Sequence, residues 1–266
     1  GGLFNRFKDT LQVSLLGYKN HVYKPGFGFS EIRSMGGFDR SGINSLMVRS
    51  DGGFALNDIS FGGTGNGIQH STGGGINLNN QIKNNLTLNL QYFYGQINSN
   101  NFAVNNRKQF FGDTTMTTLN NSEQVNENYT HRIGGYVKWN IDSASKLEFR
   151  PSLTLTRVLG NNQISYNTSN NHNGLLNESE NQQNDRNESA AFNQDVSYMK
   201  TFKKKGRSLY AAVNIKLSEN KNNRENNAQN IFYEDQQNIT TLLNQLRKRN
   251  LDNNAFTFSA NYSEPV

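Results

Sequence analysis

Apolar residues in this chain recur at every second position, in runs about ten residues long, and few folds tolerate that pattern. In 86–96, Leu86, Leu88, Leu90, Tyr92 and Tyr94 share one parity. Thr87, Asn89, Gln91 and Gly95 share the other, with Phe93 the one exception. A strand points successive side chains to opposite faces, so this run specifies a strand with one apolar and one polar face. About ten residues is also the length a tilted strand needs to cross a bilayer.

The pattern repeats in pairs of runs joined by short polar turns. Ile76, Leu78 and Ile82 alternate with Asn77, Asn79 and Gln81, and Lys83-Asn84-Asn85 leads into the run above. Ile133, Gly135, Val137, Trp139 and Ile141 alternate with Arg132, Gly134, Tyr136, Lys138 and Asn140. After the turn Asp142-Ser143-Ala144-Ser145, Leu147, Phe149, Pro151, Leu153 and Leu155 oppose Glu148, Arg150, Ser152 and Thr154. A third hairpin pairs 192–202 with 208–217 across Lys203-Lys204-Lys205-Gly206-Arg207. Residues 10–18 are the second arm of an earlier hairpin turning near Lys8-Asp9, and 255–262 form a last strand. Charges inside a strand are costly toward lipid and cheap toward a wet lumen.

Connection lengths alternate as well. The turns 83–85, 142–145 and 203–207 are short, whereas 20–67, 97–128, 160–189 and 219–254 are long, Asn-rich and polar. Outer-membrane barrels have short periplasmic turns and long extracellular loops; soluble sandwiches lack that strict alternation. The expectation is an all-β, antiparallel transmembrane β-barrel in the cell outer membrane, with the chain, 1–266, supplying roughly eight or nine strands of it. Within the long loops, 109–119 is predicted as a hairpin reaching above the membrane and 240–248 as a short helix. Trp139, Phe149 and Phe202 fall near short turns, and Tyr92 and Tyr94 toward a long loop, as interfacial aromatic girdles require.

Composition fits the same frame. Only 33% of the chain is hydrophobic, yet 11% is aromatic, a pairing that disordered polar chains rarely reach. A barrel resolves it, because each strand needs only alternate apolar residues. Three prolines in 266 residues suit long strands, since proline removes a ladder donor. About one residue in six is Asn, a residue suited to turns and uncharged polar loops. The +6 formal charge reads as a mildly basic surface facing anionic lipid head groups; no recognition element accompanies it, which argues against nucleic acid. There is no cysteine, so neither disulfides nor thiolate metal sites arise. With no run of about 20 apolar residues, any spanning must be done by strands closed edge to edge. The chain begins and ends in mid-pattern and has no signal peptide, so it reads as a piece of a longer protein. Taken alone it is expected to form a curved open sheet or a small forced barrel.

Catalytic and metal chemistry find no residues to carry them. His21, His70, His131 and His172 lie far apart and in no metal-ligand spacing. Residues 62–67, Gly-Gly-Thr-Gly-Asn-Gly, lack the Lys-Ser/Thr and the helix of a phosphate loop. Glu178, Glu180, Asp185 and Glu188 make an acidic patch without the ligand order of a calcium loop. No nucleophile elbow occurs. The expectation is no enzyme, no cofactor and no catalytic, cofactor-binding or metal residues.

Several stretches are similar to the outer-membrane β-barrel family related to TonB-dependent receptors. They are GGGINLNNQIKNNLTLNLQYFYG (73–95), NYTHRIGGYVKWNIDSASKLEFRPSLTLT (128–156), FKKKGRSLYAAVNI (202–215), ANYSEPV (260–266) and QVSLLGYKNHVYKPGFGFSEI (12–32). The family's recurring run resembles His131-Arg132, Ile141-Asp142-Ser143 and Phe149-Arg150-Pro151-Ser152 here. The resemblance implies a large receptor with a plug inside a barrel of about twenty-two strands. It further implies binding and uptake of a polar nutrient driven by a TonB-type energy-coupling protein. The partners implied are outer-membrane lipid, the remaining strands and plug, and the solute. No plug or coupling box is visible in this segment. A passive porin-like or export and assembly barrel is the alternative, as is a secreted Asn-rich β-sandwich adhesin with polar outward faces.

Overall fold

The alternating runs pair as antiparallel strands of one sheet. The computed structural model describes residues 2–21, 46–48, 54–56, 59–61, 67–83, 85–234 and 237–265. Nine strands form the main sheet: β1 (Gly2–Lys8), β2 (Leu11–His21), β6 (Ile68–Ile82), β7 (Leu86–Phe111), β8 (Thr114–Asn140), β9 (Ser145–Asn170), β10 (Gly174–Thr201), β11 (Ser208–Tyr233) and β12 (Asn238–Ser263). Each is hydrogen-bonded to the next in that order, and among the described residues β1 and β12 are free edges, so the sheet is open. Three short strands, β3 (Leu46–Val48), β4 (Phe54–Leu56) and β5 (Ile59–Phe61), form a separate sheet. No helix occurs among the described residues. The predicted all-β, antiparallel class holds, and so does every hairpin read from the alternation.

The long connections differ from expectation. Residues 97–128, 160–189 and 219–254 are strand over nearly their whole length, closing at Gly112-Asp113, at 171–173 and at 234–237. Strands β7 to β12 therefore run 26 to 28 residues, about 85 Å at ~3.3 Å per residue. The hairpin expected at 109–119 is present, with Phe111 paired to Thr114. Residues 240–248 are not a helix but part of β12, where Leu243 faces Ala228 and Leu246 faces Glu225. The reason is common to all these segments. Asn and Gln on both parities erase the apolar period while leaving the ladder intact, and a partner already in register extends a strand against local propensity. Of the expected loop 20–67, residues 46–48, 54–56 and 59–61 form β3 to β5, and most of the remainder, with 62–66 of the glycine run, lies outside the described residues.

Register sorts the side chains into two unlike faces. One row across the sheet reads Asn5, Ser14, Asn77, Gln91, Gly134, Ser152, Asn193, Lys216 and Ala255. The neighbouring row, on the opposite face, reads Phe4, Leu15, Ile76, Tyr92, Ile133, Leu153, Phe192, Leu217 and Asn254. The polar face is the buried one. Among the described residues the buried apolar side chains are Leu16, Phe93 and Tyr136, while eleven polar ones are buried, including Asn77, Asn89, Gln91 and Arg132. Leu90, Ile133, Trp139, Phe149 and Leu155 stand exposed on the other side. That reverses the ordering of a water-soluble fold.

Side-chain size fits the close face. A Cβ on Gly75 would lie 2.5 Å from the Phe93 ring, and one on Gly134 would lie 2.9 Å from Gln91 Nε2. Large side chains thus lie over bare backbone, as aromatics do over strand glycines. Between β8 and β9 the register skips Gly135 and Tyr136, beside Pro151, which has no N–H to donate.

The edge strand β12 is fastened at its end. Glu264 pairs with Lys204 Nζ at 2.8 Å and with Arg207 Nε at 2.7 Å, and accepts from the Tyr262 hydroxyl at 2.6 Å. The Arg207 guanidinium foremost, then Lys204 and Tyr262, hold the Glu264 carboxyl down at about 2.

Candidate functional site

The polar face carries its most buried groups where β6, β7 and β8 lie side by side. Register places Asn77 beside Gln91 and Gln91 beside Gly134, with Asn79 beside Asn89 one rung along. Asn89 Nδ2 donates to Asn77 Oδ1 and Asn79 Oδ1, each at 2.6 Å, knitting β6 to β7 through side chains. Gln91 and Arg132 are each only 1% exposed. Asn79 Nδ2, Asn89 Oδ1 and Gln91 Oε1 are buried with no hydrogen-bond partner among the described residues. A buried amide left unpaired costs about 1–3 kcal/mol. Chemically this is a hydrogen-bonding surface with one fixed cation, of a kind suited to recognition.

Toward the short turns the same face becomes charged. Glu148 pairs with Arg150 at 2.6 Å and with Lys146, and the Arg150 guanidinium lies 5.0 Å from the centre of the Tyr136 ring. Asp195 accepts from Asn214 Nδ2 at 2.5 Å in the adjoining row. Every charged strand residue of the hairpin 131–155 other than His131 therefore shares the polar face.

The apolar face has a defined height. Its lowest row contains Leu86, Trp139, Leu147 and Tyr198, and its uppermost Tyr94, His131, Leu155 and Ala190. The next row on that face reads Gln96, Tyr129, Arg157, Glu188 and Lys221. Apolar character ends there. Tyr94 and His131 rings lie 4.9 Å apart, and the Tyr92 hydroxyl is 2.8 Å from His131 Nδ1.

The remaining sequence candidates do not form one site. His131 meets tyrosines and His172 lies in the turn after β9, while register pairs His70 on β6 with His21 on β2, whose side chain lies outside the described residues. Among the described residues no three His, Asp or Glu side chains gather as a metal site. The acidic patch is spread along β10, and three of its four carboxylates are partnered: Glu178 by the Tyr233 hydroxyl, Asp185 by Arg224 at 2.6 Å, Glu188 by Arg186 at 2.7 Å. The Arg186 guanidinium foremost holds the Glu188 carboxyl below its ordinary range. The Asn79-Asn89-Gln91-Arg132 cluster escaped the sequence reading because only register assembles it. Glycines of the polar parity next to a large side chain, Gly134 by Gln91, were its one local signal.

No model of a known protein family matches the chain, and no curated protein matches it.

Proposed function

We propose that this chain is a wall segment of an outer-membrane β-barrel, its apolar face against lipid and its polar face lining a wet interior that passes or binds a polar solute. The carrying observation is the reversed pair of faces. The apolar strip spans nine residues of β7, 86–94, or roughly 30 Å along the strand, which a tilt of about 40° brings to roughly 23 Å. The hydrocarbon-facing band of outer-membrane barrels is about 25 Å tall. Across the eight strands from β2 to β12 in the main sheet, spaced about 4.8 Å apart, the strip covers roughly 900 Å², while on β1 the same face carries Arg6 and Lys8. The largest apolar patch on a typical soluble monomer is about 300–600 Å², which weighs against the secreted sandwich.

Strand count bears on how the barrel closes. Nine antiparallel strands leave β1 and β12 running the same way. Closing them directly would need a parallel pair, so antiparallel closure takes an odd number of further strands, giving the even total usual in bacterial barrels. The resemblance to TonB-dependent receptors supports active uptake with a plug and an energy-coupling partner, and the amide-rich interior supports a polar nutrient as cargo. The test is made on the full-length protein in its own envelope. It is expected in the outer-membrane fraction, with gel mobility that changes on boiling, and solute uptake is expected to stop when the membrane is de-energised. Uptake that persists without energy would favour a passive channel, and recovery in the soluble fraction would end the barrel reading.

A further inference from the structure

At the upper border of the apolar face lies a groove of about 970 Å³, lined by Tyr92, Tyr94, His131, Leu155, Ala190 and Arg157 among others. It straddles the boundary between the last apolar row and the first charged one. Its ionic groups are unequally committed. Lys221 pairs with Glu219 at 2.5 Å. Glu188 accepts Arg186 Nε at 3.1 Å and Nη2 at 2.7 Å on one oxygen. Arg157 Nε stands 3.6 Å from that same oxygen, beyond hydrogen-bond distance. The Arg157 guanidinium, 47% exposed, is thus held only by this longer ion pair, at a level where aromatic and aliphatic side chains begin.

We propose that this groove seats a phosphate-bearing lipid of the surrounding leaflet, the phosphate on Arg157 and an acyl chain descending past Leu155, Ala190 and Tyr92. The inference rests on the membrane placement above. A guanidinium fork matches two phosphate oxygens, which a glycolipid without phosphate does not offer. The tyrosine and histidine rings give the glycerol or sugar region a flat wall, as amphipathic rings do at membrane interfaces. Lipid is favoured over a soluble anion because the groove continues into the exposed apolar strip, which a free anion would leave bare.

The test uses the full chain in mixed micelles with equal amounts of dioleoyl phosphatidylglycerol and an uncharged dioleoyl glucoside, with retained lipid counted by native mass spectrometry. Preference for the phospholipid is expected, falling about tenfold in Arg157→Gln, the loss of one charge-assisted bidentate contact. It should be only partly restored in Arg157→Lys, which returns the charge without the fork, and undiminished in Glu188→Gln, which removes a competing carboxylate. Equal retention by wild type and Arg157→Gln overturns the proposal, and so does displacement by inorganic phosphate at concentrations matching the lipid. Flotation of each variant with phosphatidylcholine vesicles separates the two layers of argument. A wild-type chain that does not float overturns the membrane reading and this inference together; one that floats without lipid preference overturns this inference alone.

Discussion

Each long strand has two halves built on the same ladder and different chemistry. In the half near the short turns, Leu86 to Tyr94 of β7 and their neighbours, side chains split into an exposed apolar row and a buried polar one. In the distal half, Asn161 donates to Asn184 at 2.6 Å on β9 and β10, and Asn222 donates to Asn187 between β10 and β11. There, amide meets amide on either parity. Backbone pairing runs through both halves, from Ser145–Lys200 to Asn170–Gly174, with one register shift between Leu175 and Asn177. Pairing therefore does not depend on the contrast between faces. The contrast decides what solvent each face can meet, while the ladder needs only a neighbour in register.

Substitutions that exchange the two chemistries should separate the halves most sharply. Ile133→Arg, central in the apolar strip, is expected to destabilise the folded form by about 2–4 kcal/mol, as a cation on the lipid face near the bilayer midplane does. Asn162→Arg, in the distal half, should fall within about 0.5 kcal/mol, as for an ordinary surface change. Urea titration of the folded protein in phosphatidylcholine vesicles measures both, and equal costs would erase the distinction.

Gly134→Val comes next. It forces a branched side chain into the space under Gln91, an overpacking that typically costs about 1–3 kcal/mol. The same change at Gly160, where the nearest contact for a Cβ is the Asn126 amide oxygen at 3.1 Å, should cost less because that side chain is only half-buried and can turn away. The two unfolding midpoints, read under one set of conditions, rank the tightness of the halves.

A smaller effect is expected at Asn89. Asn89→Ala removes the donor shared by Asn77 and Asn79, with an expected loss near 1 kcal/mol per hydrogen bond. Asn161→Ala, at a half-buried pair, should lose less. Hydrogen exchange along β6 and β7, compared with β9 and β10, locates each loss.

The gentlest effect concerns the β12 fastening. A carboxyl held at about 2 in the folded chain has an ordinary value near 4.3 unfolded. The folded value is depressed, so its contribution is fully present above about pH 4.3 and is lost as pH falls through about 2. The stability difference between wild type and Glu264→Gln should be constant from pH 7 to about 5 and shrink steadily below that. Protease nicking of β12 across this range is the readout, and a difference that grows on acidification would refute the assigned partners.

What could be read in advance follows the same division. Leu86, Leu88 and Leu90 against Asn89 and Gln91 announce a strand, its faces and its hairpin partner, because apolar periodicity is a local signal. The stretch 160–189 carries none, since Asn161, Asn162, Gln163 and their partners Asn184, Gln183 and Gln182 are polar on both parities. Thr240–Thr241–Leu242–Leu243 with Leu246 reads as a helix stripe until Gln229 and Ala228 on β11 supply its ladder. The buried cluster at Gln91 and Arg132 was invisible for another reason: a polar residue on a strand reads as solvent-facing until its neighbours in the sheet bury it.

The chain contains no cysteine, so single cysteines can be placed one at a time along 147–155 of β9, where the polar-face positions are half-buried and reachable. In vesicles, cysteines at 147, 149, 153 and 155 should react with a lipid-soluble maleimide and be shielded from a charged one, while those at 148, 150, 152 and 154 should show the reverse. That alternation is the direct signature of a wall between lipid and water. Uniform reactivity with the charged reagent at every position would contradict it.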